Sequence, residues 1–279
     1  MSFKTLTLLP AVIIVLIILG LIIARFIIKR KVKKPTLIVG SAQGLGKREE
    51  QEDSFSTIEN ESGFLAVLAD GMGGFYLGKE ASELVVKSFL GEFTRNYNIK
   101  SINDFLVNTT HISNYKLVEF AKEKNMGTTL IATFIRDNIL YWVSVGDSQI
   151  YLFRNKELHE INPRHTFAIE LRKACRKGEI SRETARNHPK RDRLISYLGY
   201  RDFHLLDYSK TPIKLVKNDM VILCSDGIYN SLSTYELEDI LHKRKIKAAE
   251  AAAAILDRVL SKNLNNQDNA TVLVIKKVK

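Results

Sequence analysis

Three apolar runs of this chain each end on an aspartate, and carboxylates delivered to one place in that way are the ligands that a hard divalent cation takes. Residues 64–68 lead to Asp70 and Gly71, residues 139–145 to Gly146 and Asp147, and residues 220–224 to Asp226 and Gly227. A fourth acidic position, Asp268, stands just before the apolar run 271–275, and the pair Glu52 and Asp53 precedes the first run. Apolar runs of roughly four to eight residues bounded by Gly and Asp read as buried strands, whose ends can bring several side chains over one sheet edge. A single Asp-Gly after a strand makes only a turn, because Gly accepts positive φ and Asp caps the local backbone. It is the repetition that points to a metal. The set is rich in Asp and poor in His, which suits Mg2+ or Mn2+ better than zinc.

The elements that would position these groups can be read from periodicity. Residues 77–97 carry Ala81, Leu84, Val85, Phe89 and Leu90 at helical spacing, residues 102–121 repeat the pattern, and the two helices are expected to pack side by side. Strands are predicted over 128–135, 139–145, 149–153 and 203–208, with Asp137-Asn138 turning the first two into a hairpin. Residues 234–243 and the alanine-rich 247–262 read as helices, followed by a last strand over 271–278. Strands and helices come in blocks, which predicts an α+β layered fold rather than strict βαβ alternation. No Pro/Gly/Ser-rich break divides the chain after residue 36, so one domain is expected over 36–279.

The start of the chain is different. Residues 6–24 carry no charge, and the apolar stretch continues past Arg25 to residue 28, long enough to cross a bilayer as a helix. Arg25, Lys29, Arg30, Lys31, Lys33 and Lys34 follow it and only Lys4 precedes it, the reverse of a cleaved signal peptide. The expected layout is a short extracytoplasmic segment (1–5), a single transmembrane helix (6–28), a basic linker (29–35) and a cytoplasmic domain on the cell membrane. The formal net charge of +11 includes seven Lys and Arg within the first 40 residues, where there is no Asp or Glu, leaving +4 for the remainder. That gives no independent reason to invoke nucleic acid. The two cysteines, Cys175 and Cys224, fit a reduced compartment, with Cys224 read as a core residue.

The order of motifs is specific. Arg48-Glu49-Glu50-Gln51-Glu52-Asp53, Ala69-Asp70-Gly71-Met72-Gly73-Gly74, Met126-Gly127-Thr128-Thr129, Gly146-Asp147-Ser148, Ser225-Asp226-Gly227 and Asp268-Asn269-Ala270-Thr271 together resemble the type 2C metal-dependent serine/threonine protein phosphatases, in a bacterial form. The resemblance covers essentially everything after Gly40. It implies a four-layer α/β/β/α sandwich of two antiparallel sheets with two Mn2+ or Mg2+ ions, and a weaker third, at one end. Carried over by position, Asp53, Asp70, Asp226 and Asp268 would hold the metals, Gly71 would add its carbonyl and Glu52 would fix a metal-bound water. Asp147 would help Asp226 hold the third ion, and Arg48 would grip the substrate phosphate. The implied activity is hydrolysis of phosphoserine and phosphothreonine in proteins by a hydroxide bridging the metals, opposed by a serine/threonine kinase.

The chain departs from the family pattern at Gln51, usually Asn, at Gln149, usually Arg, and at Phe75, commonly His. Met72 stands where many eukaryotic relatives carry His, which leaves a metal-bound water or His188 to protonate the leaving oxygen. His188, before Pro189, reads first as a turn residue, and the other five histidines lack metal-ligand spacing. Residues 164–193 hold ten Lys and Arg against four acids, either a solvated helical face or a flap that attracts acidic phosphorylated segments. Two other functions stay open on sequence alone: an inactive membrane-tethered scaffold that binds phosphoproteins, and a small-molecule phosphohydrolase using the same metals.

Overall fold

Alternation along the strands explains the layers. In the strand Gly63–Met72, residues Leu65, Val67 and Ala69 face one way and Phe64, Ala66 and Leu68 the other, and all six are buried. A strand that is apolar on both faces must be covered on both. The computed structural model describes residues 35–279 apart from 74–76, 97, 123, 202, 204 and 244–245, and, nearer the start, only residues 13, 14 and 16–19. By its contacts the chain divides into residues 1–36 and the unit Leu37–Lys279.

Twelve strands and seven helices are described in the larger unit. The strands are β1 (Leu37–Gly44), β2 (Asp53–Asn60), β3 (Gly63–Met72), β4 (Gly127–Thr128), β5 (Leu130–Arg136), β6 (Ile139–Val145), β7 (Gln149–Arg154), β8 (Glu157–Glu160), β9 (Asp207–Tyr208), β10 (Ile213–Lys214), β11 (Met220–Cys224) and β12 (Ala270–Lys277). The helices are α1 (Leu77–Arg95), α2 (Ile102–Ala121), α3 (Ala168–Arg176), α4 (Arg182–Arg186), α5 (Asp226–Tyr229), α6 (Thr234–Leu241) and α7 (Ala248–Ser261). One antiparallel sheet runs β1-β12-β11-β7-β8 and the other β10-β6-β5-β3-β2, with β4 joined to β3 and β9 to β6.

Three apolar cores separate four layers. Leu65, Val67 and Ala69 meet Val85, Phe89 and Phe93 of α1 and Leu106 and Leu117 of α2. Between the sheets, Phe64, Ala66, Leu68 and Ile131 face Ile150, Val221, Leu223 and Leu273. Val272 and Val274, on the opposite face of β12, meet Ala251, Ala252 and Ile255 of α7. All three cores lie within residues 37–279. The alanines bring α7 so close to β1 that a Cβ on Gly40 would run into the backbone of Ala248 and Ala249.

The expected α+β sandwich of antiparallel sheets and flanking helices is observed, as is the Asp137-Asn138 hairpin, both residues having positive φ. Two expected strands change. The run 128–135 breaks at Thr129, whose backbone N–H and hydroxyl turn to Asp70, so β4 and β5 pair separately with β3. Of 203–208 only Asp207–Tyr208 pairs with β6, because Phe203 and Leu206 pack against the core under α1 and α2. Among the described residues no helix is long and apolar enough to cross a membrane. The transmembrane expectation over 6–28 falls almost entirely outside the described residues. Cys175 and Cys224 are unpaired, and Cys224 is fully buried as expected.

Gly40→Ala is expected to destabilise residues 36–279 by about 1–3 kcal/mol, the usual penalty of overpacking. Urea unfolding measures it, and a loss under about 0.5 kcal/mol would show that α7 shifts freely away from β1.

Candidate metal centre

The sheets deliver the carboxylates in pairs. Asp53 opens β2 directly opposite Asp70 near the end of β3. Asp226 begins α5 just after β11, and Asp268 precedes β12, so this second pair comes from the facing sheet. Hydrogen bonds cross the seam: the Ser225 hydroxyl donates to Asp53 Oδ2 at 2.7 Å, while Thr271 N donates to Ser225 Oγ at 3.0 Å. Gln43 Nε2 ties the backbone of the same residue from β1, donating to Asp53 O at 3.0 Å. Asp70 is held through both backbone groups, donating to Thr129 Oγ1 and accepting from Thr129 N.

Arg48, Glu52, Asp70, Gly71, Asp147, Asp226 and Asp268 all line one cleft of about 920 Å³, with Asp53 buried beneath it at 4 % exposure. The expected site residues are therefore brought to one end of the sandwich. Arg48, half-exposed at the rim, donates from Nη2 to Asp268 Oδ2 at 2.7 Å. Glu52 lies against the first turn of α1, where the Gly78 N–H bonds its carboxylate. That contact needs two glycines, since a Cβ on Gly71 would strike the Gly78 carbonyl and one on Gly78 would strike Glu52 Oε1. Gln51 takes the place of the usual Asn and bridges the turn, donating to Gly44 O and accepting from Asp53 N.

Burial and crowding set the electrostatics. Burial pushes Asp53 up to about 6 despite hydrogen bonds from Thr271 and Ser225. Asp226 is pushed up to about 7, first by burial and then by Asp147, Asp268 and Asp53. Asp70 lies well above the usual carboxylate range from burial and four neighbouring aspartates, and burial also raises Asp147 despite the bond from Tyr229. Among the described residues, no three His, Cys, Asp or Glu side chains are drawn to ligation distance of one point. The fit to a metal rests instead on an all-oxygen donor set and on Asp53 Oδ1, a buried carboxylate oxygen with no hydrogen-bond partner. Such an atom is stabilised by a cation.

Asp147 is held differently. Gly146, before it, donates from N to Nδ1 of His165 at 3.2 Å, and His165 N donates back to Gly146 O at 2.8 Å. Because Nδ1 accepts, Nε2 carries the proton and donates it to Asp207 Oδ2 at 2.9 Å. His165 is fully buried. Its role left no signal in sequence spacing, since the imidazole acts through a backbone turn rather than as a ligand. Arg164 was also missed: its guanidinium lies 4.9 Å from the Tyr229 ring centre, close enough to favour ionised Asp147.

His188 is a half-buried residue whose ring lies 5.4 Å from Phe167 and whose Nδ1 accepts from Lys190 N, and it does not line the cleft. Gln149, where the family usually has Arg, is buried and bonded to Asn162, so it braces β7 instead of reaching the cleft. The basic stretch 164–193 forms α3, α4 and their loops, and Leu194, just beyond it, reaches the cleft.

Comparisons with known proteins agree with this geometry. The protein phosphatase 2C family profile matches residues 44–267. The chain is 32 % identical over 238 residues to a serine/threonine phosphatase stp of Listeria monocytogenes, covering 82 % of this chain and 91 % of that one. It superposes with TM-score 0.77 and 26 % identity on a Streptococcus agalactiae serine/threonine phosphatase, over 87 % of this chain and 100 % of that one. The catalytic domain of the serine/threonine protein phosphatase PstP in complex with two manganese ions gives TM-score 0.69 at 28 % identity, over 87 % of this chain and 99 % of that one.

A carboxyl raised in the folded state keeps its proton there above the pH at which the unfolded chain loses it. Its contribution is therefore complete at low pH and is lost as pH rises through the folded value. Metal-free protein is expected to lose stability between about pH 4 and about pH 7 as Asp53 and Asp226 ionise. Mn2+ should raise the melting temperature more at pH 7.5 than at pH 5.5, read by scanning calorimetry; an equal rise at both would refute the linkage. For His165→Ala, titration calorimetry should show Mn2+ affinity at the weakest site reduced by about 10–100-fold. His165→Asn, whose amide oxygen replaces Nδ1 as acceptor, should keep most of it, and equal behaviour of the two variants would exclude the Gly146 contact as the cause.

Proposed function

This chain belongs to the protein phosphatase 2C family, and from that premise we propose that it removes phosphate from serine and threonine side chains of proteins at the cleft ringed by Asp53, Asp70, Asp147, Asp226 and Asp268. It is a serine/threonine protein phosphatase. The observation that carries the site assignment is the convergence of carboxylates from both sheets, with Asp53 Oδ1 buried and unpartnered. In this reading Asp53, Asp70, Asp226 and Asp268 hold two ions, Gly71 contributes its carbonyl and Asp147 adds to a weaker third site. Mn2+ is favoured by the manganese complex of the PstP relative, and Mg2+ has the same taste for oxygen donors. Divalent cations bound there supply Lewis acidity, which lowers the pKa of water and neutralises charge on phosphoryl oxygens.

The chain's own groups do the rest. Arg48 commits one of its five N–H donors to Asp268 and stands at the rim, where a planar guanidinium matches phosphoryl oxygens as lysine cannot. Glu52, braced on the α1 N-terminus, orients water at the floor. Retention of every carboxylate argues against the inactive-scaffold alternative. The apolar stretch 6–28 and the basic residues after it support a membrane anchor with the domain in the cytoplasm, where a serine/threonine kinase would supply the substrates.

Residues 36–279 are expected to dephosphorylate a phosphothreonine peptide with Mn2+ and to stop with EDTA. Asp226→Asn should lower kcat/KM at least about 100-fold with the fold retained by circular dichroism, whereas Arg48→Lys should raise KM and leave Mn2+ binding intact. Turnover of p-nitrophenyl phosphate without any of the peptide would favour a small-molecule phosphohydrolase, and an active Asp226→Asn would remove that residue from the ligand set.

A further inference from the structure

We propose that the basic segment 164–193, beside the carboxylate cleft, docks the acidic flank of a phosphoprotein substrate while the phosphorylated residue lies in the cleft. The proposal deepens the phosphatase reading and rests on it. The segment holds ten Lys and Arg against four acids, a net +6, whereas residues 41–279 as a whole carry only +4. The rest of that stretch is therefore slightly acidic, and the segment is the side toward which the field draws an anionic chain.

Its own acids do not neutralise it. Glu170 is paired with Lys173 at 2.9 Å, Glu179 with Lys177 at 3.8 Å and Asp192 with Arg191 at 3.4 Å. That leaves Glu183 against Arg172, Arg176, Arg182, Arg186, Lys190 and Arg193, which are exposed and make no ion pair among the described residues. The acids met from other elements, Asp147 beside Arg164 and Asp207 on His165, stand at the start of the segment. Four of the free cations come as two pairs: Arg172 and Arg176 on α3, and Arg182 and Arg186 on α4, each four residues apart and so on one helix face. Cys175 Sγ donates to Ser181 O at 3.3 Å, fastening the end of α3 to the turn before α4. Planar guanidinium groups on such a frame match carboxylate and phosphate oxygens in a fork.

Continuity with the cleft selects the occupant. Thr166 bridges Leu194, which lines the cleft, and α3 starts on the same strip of backbone, Phe167 N donating to Arg193 O and Ala168 N to Arg191 O, both at 2.8 Å. Helix rise then places Arg172 about 6 Å and Arg176 about 12 Å along the axis from Ala168. About four extended residues of a bound chain span that distance. A polypeptide whose phosphorylated residue sits in the cleft and whose next residues are acidic can satisfy both places at once, and the second contact is then intramolecular.

The test uses the full chain with Mn2+ and two phosphothreonine peptides that differ only in their flanks, one rich in Glu on both sides and one with Gln in the same places. At low salt kcat/KM should be at least about tenfold higher for the Glu peptide, through KM, and the gap should close at about 0.5 M NaCl. The combined Arg172→Gln, Arg176→Gln, Arg182→Gln and Arg186→Gln variant should cut that preference at least about fivefold, with melting temperature and turnover of the Gln peptide unchanged, because Gln keeps the helix propensity. The Lys and Arg before residue 36 are common to both proteins and cancel in the comparison. Equal kcat/KM for the two peptides, or a parent-like preference in the variant, overturns the proposal. Docking is also read without catalysis, by fluorescence anisotropy of the labelled Glu peptide lacking its phosphate, in EDTA. The variant should bind it at least about fivefold more weakly than the parent, and equal binding overturns the proposal. An oligonucleotide of equal charge that binds more tightly than this peptide and is released by the same substitutions also overturns it, marking a nucleic-acid surface instead. No turnover of either peptide, with the anisotropy difference intact, sinks the phosphatase reading and leaves the docking surface standing.

Discussion

Everything at the working end of this molecule follows from placing four aspartates where water is scarce. Coulomb repulsion between carboxylates grows as the local dielectric falls, and burial alone already disfavours their charged forms. Asp53, Asp70, Asp147 and Asp226 are all raised, with burial the largest cause in each. The Ser225–Asp53 hydrogen bond lies at the seam where this repulsion acts, joining the sheet of β11 to the sheet of β2. A cation that takes up the lone pairs of Asp53 Oδ1 also relieves the charge pushing the two sheets apart. Metal uptake and proton release at this end of the sandwich are therefore one equilibrium.

The fold meets that constraint through strands whose faces are both spoken for. β3, β11 and β12 alternate between the helix-side cores and the inter-sheet core, so neither face has room for a polar cluster. Only the strand ends are free, and antiparallel pairing puts the end of β3, the exit of β11 and the entry to β12 on the same side.

The interior strands were legible in the sequence because two-sided burial writes an unbroken apolar run. β1, β2 and β8 were not, since each lies at a sheet edge and mixes Ser, Thr, Gln or Glu into its pattern. The aspartates were legible because their types and their repetition after strands carry meaning before any contact is known. Ser225, Gln43 and His165 were not: a Ser or Gln acquires its role only from a partner brought near by the fold, and Ser225 and Asp53 are 172 positions apart. Gln51 shows the converse, a departure from the family residue that leaves the task intact, because a longer amide still bridges Gly44 O and Asp53 N.

The same contrast divides the aspartates themselves. Asp53 and Asp70 face each other in the β2–β3 ladder, and Asp226 and Asp268 stand where the chain leaves β11 and enters β12. Asp147 is braced through Gly146 by His165, in the connection between β8 and β9, and His165 is in turn held by Asp207 at the start of β9. The two ends of that connection and the backbone before Asp147 are thus one hydrogen-bonded unit. Separating His165 from Asp207 would free the imidazole that accepts the Gly146 N–H. A side chain braced through a connecting segment is more easily displaced than one held in a sheet, which would make Asp147 the weaker ligand in the proposed metal centre.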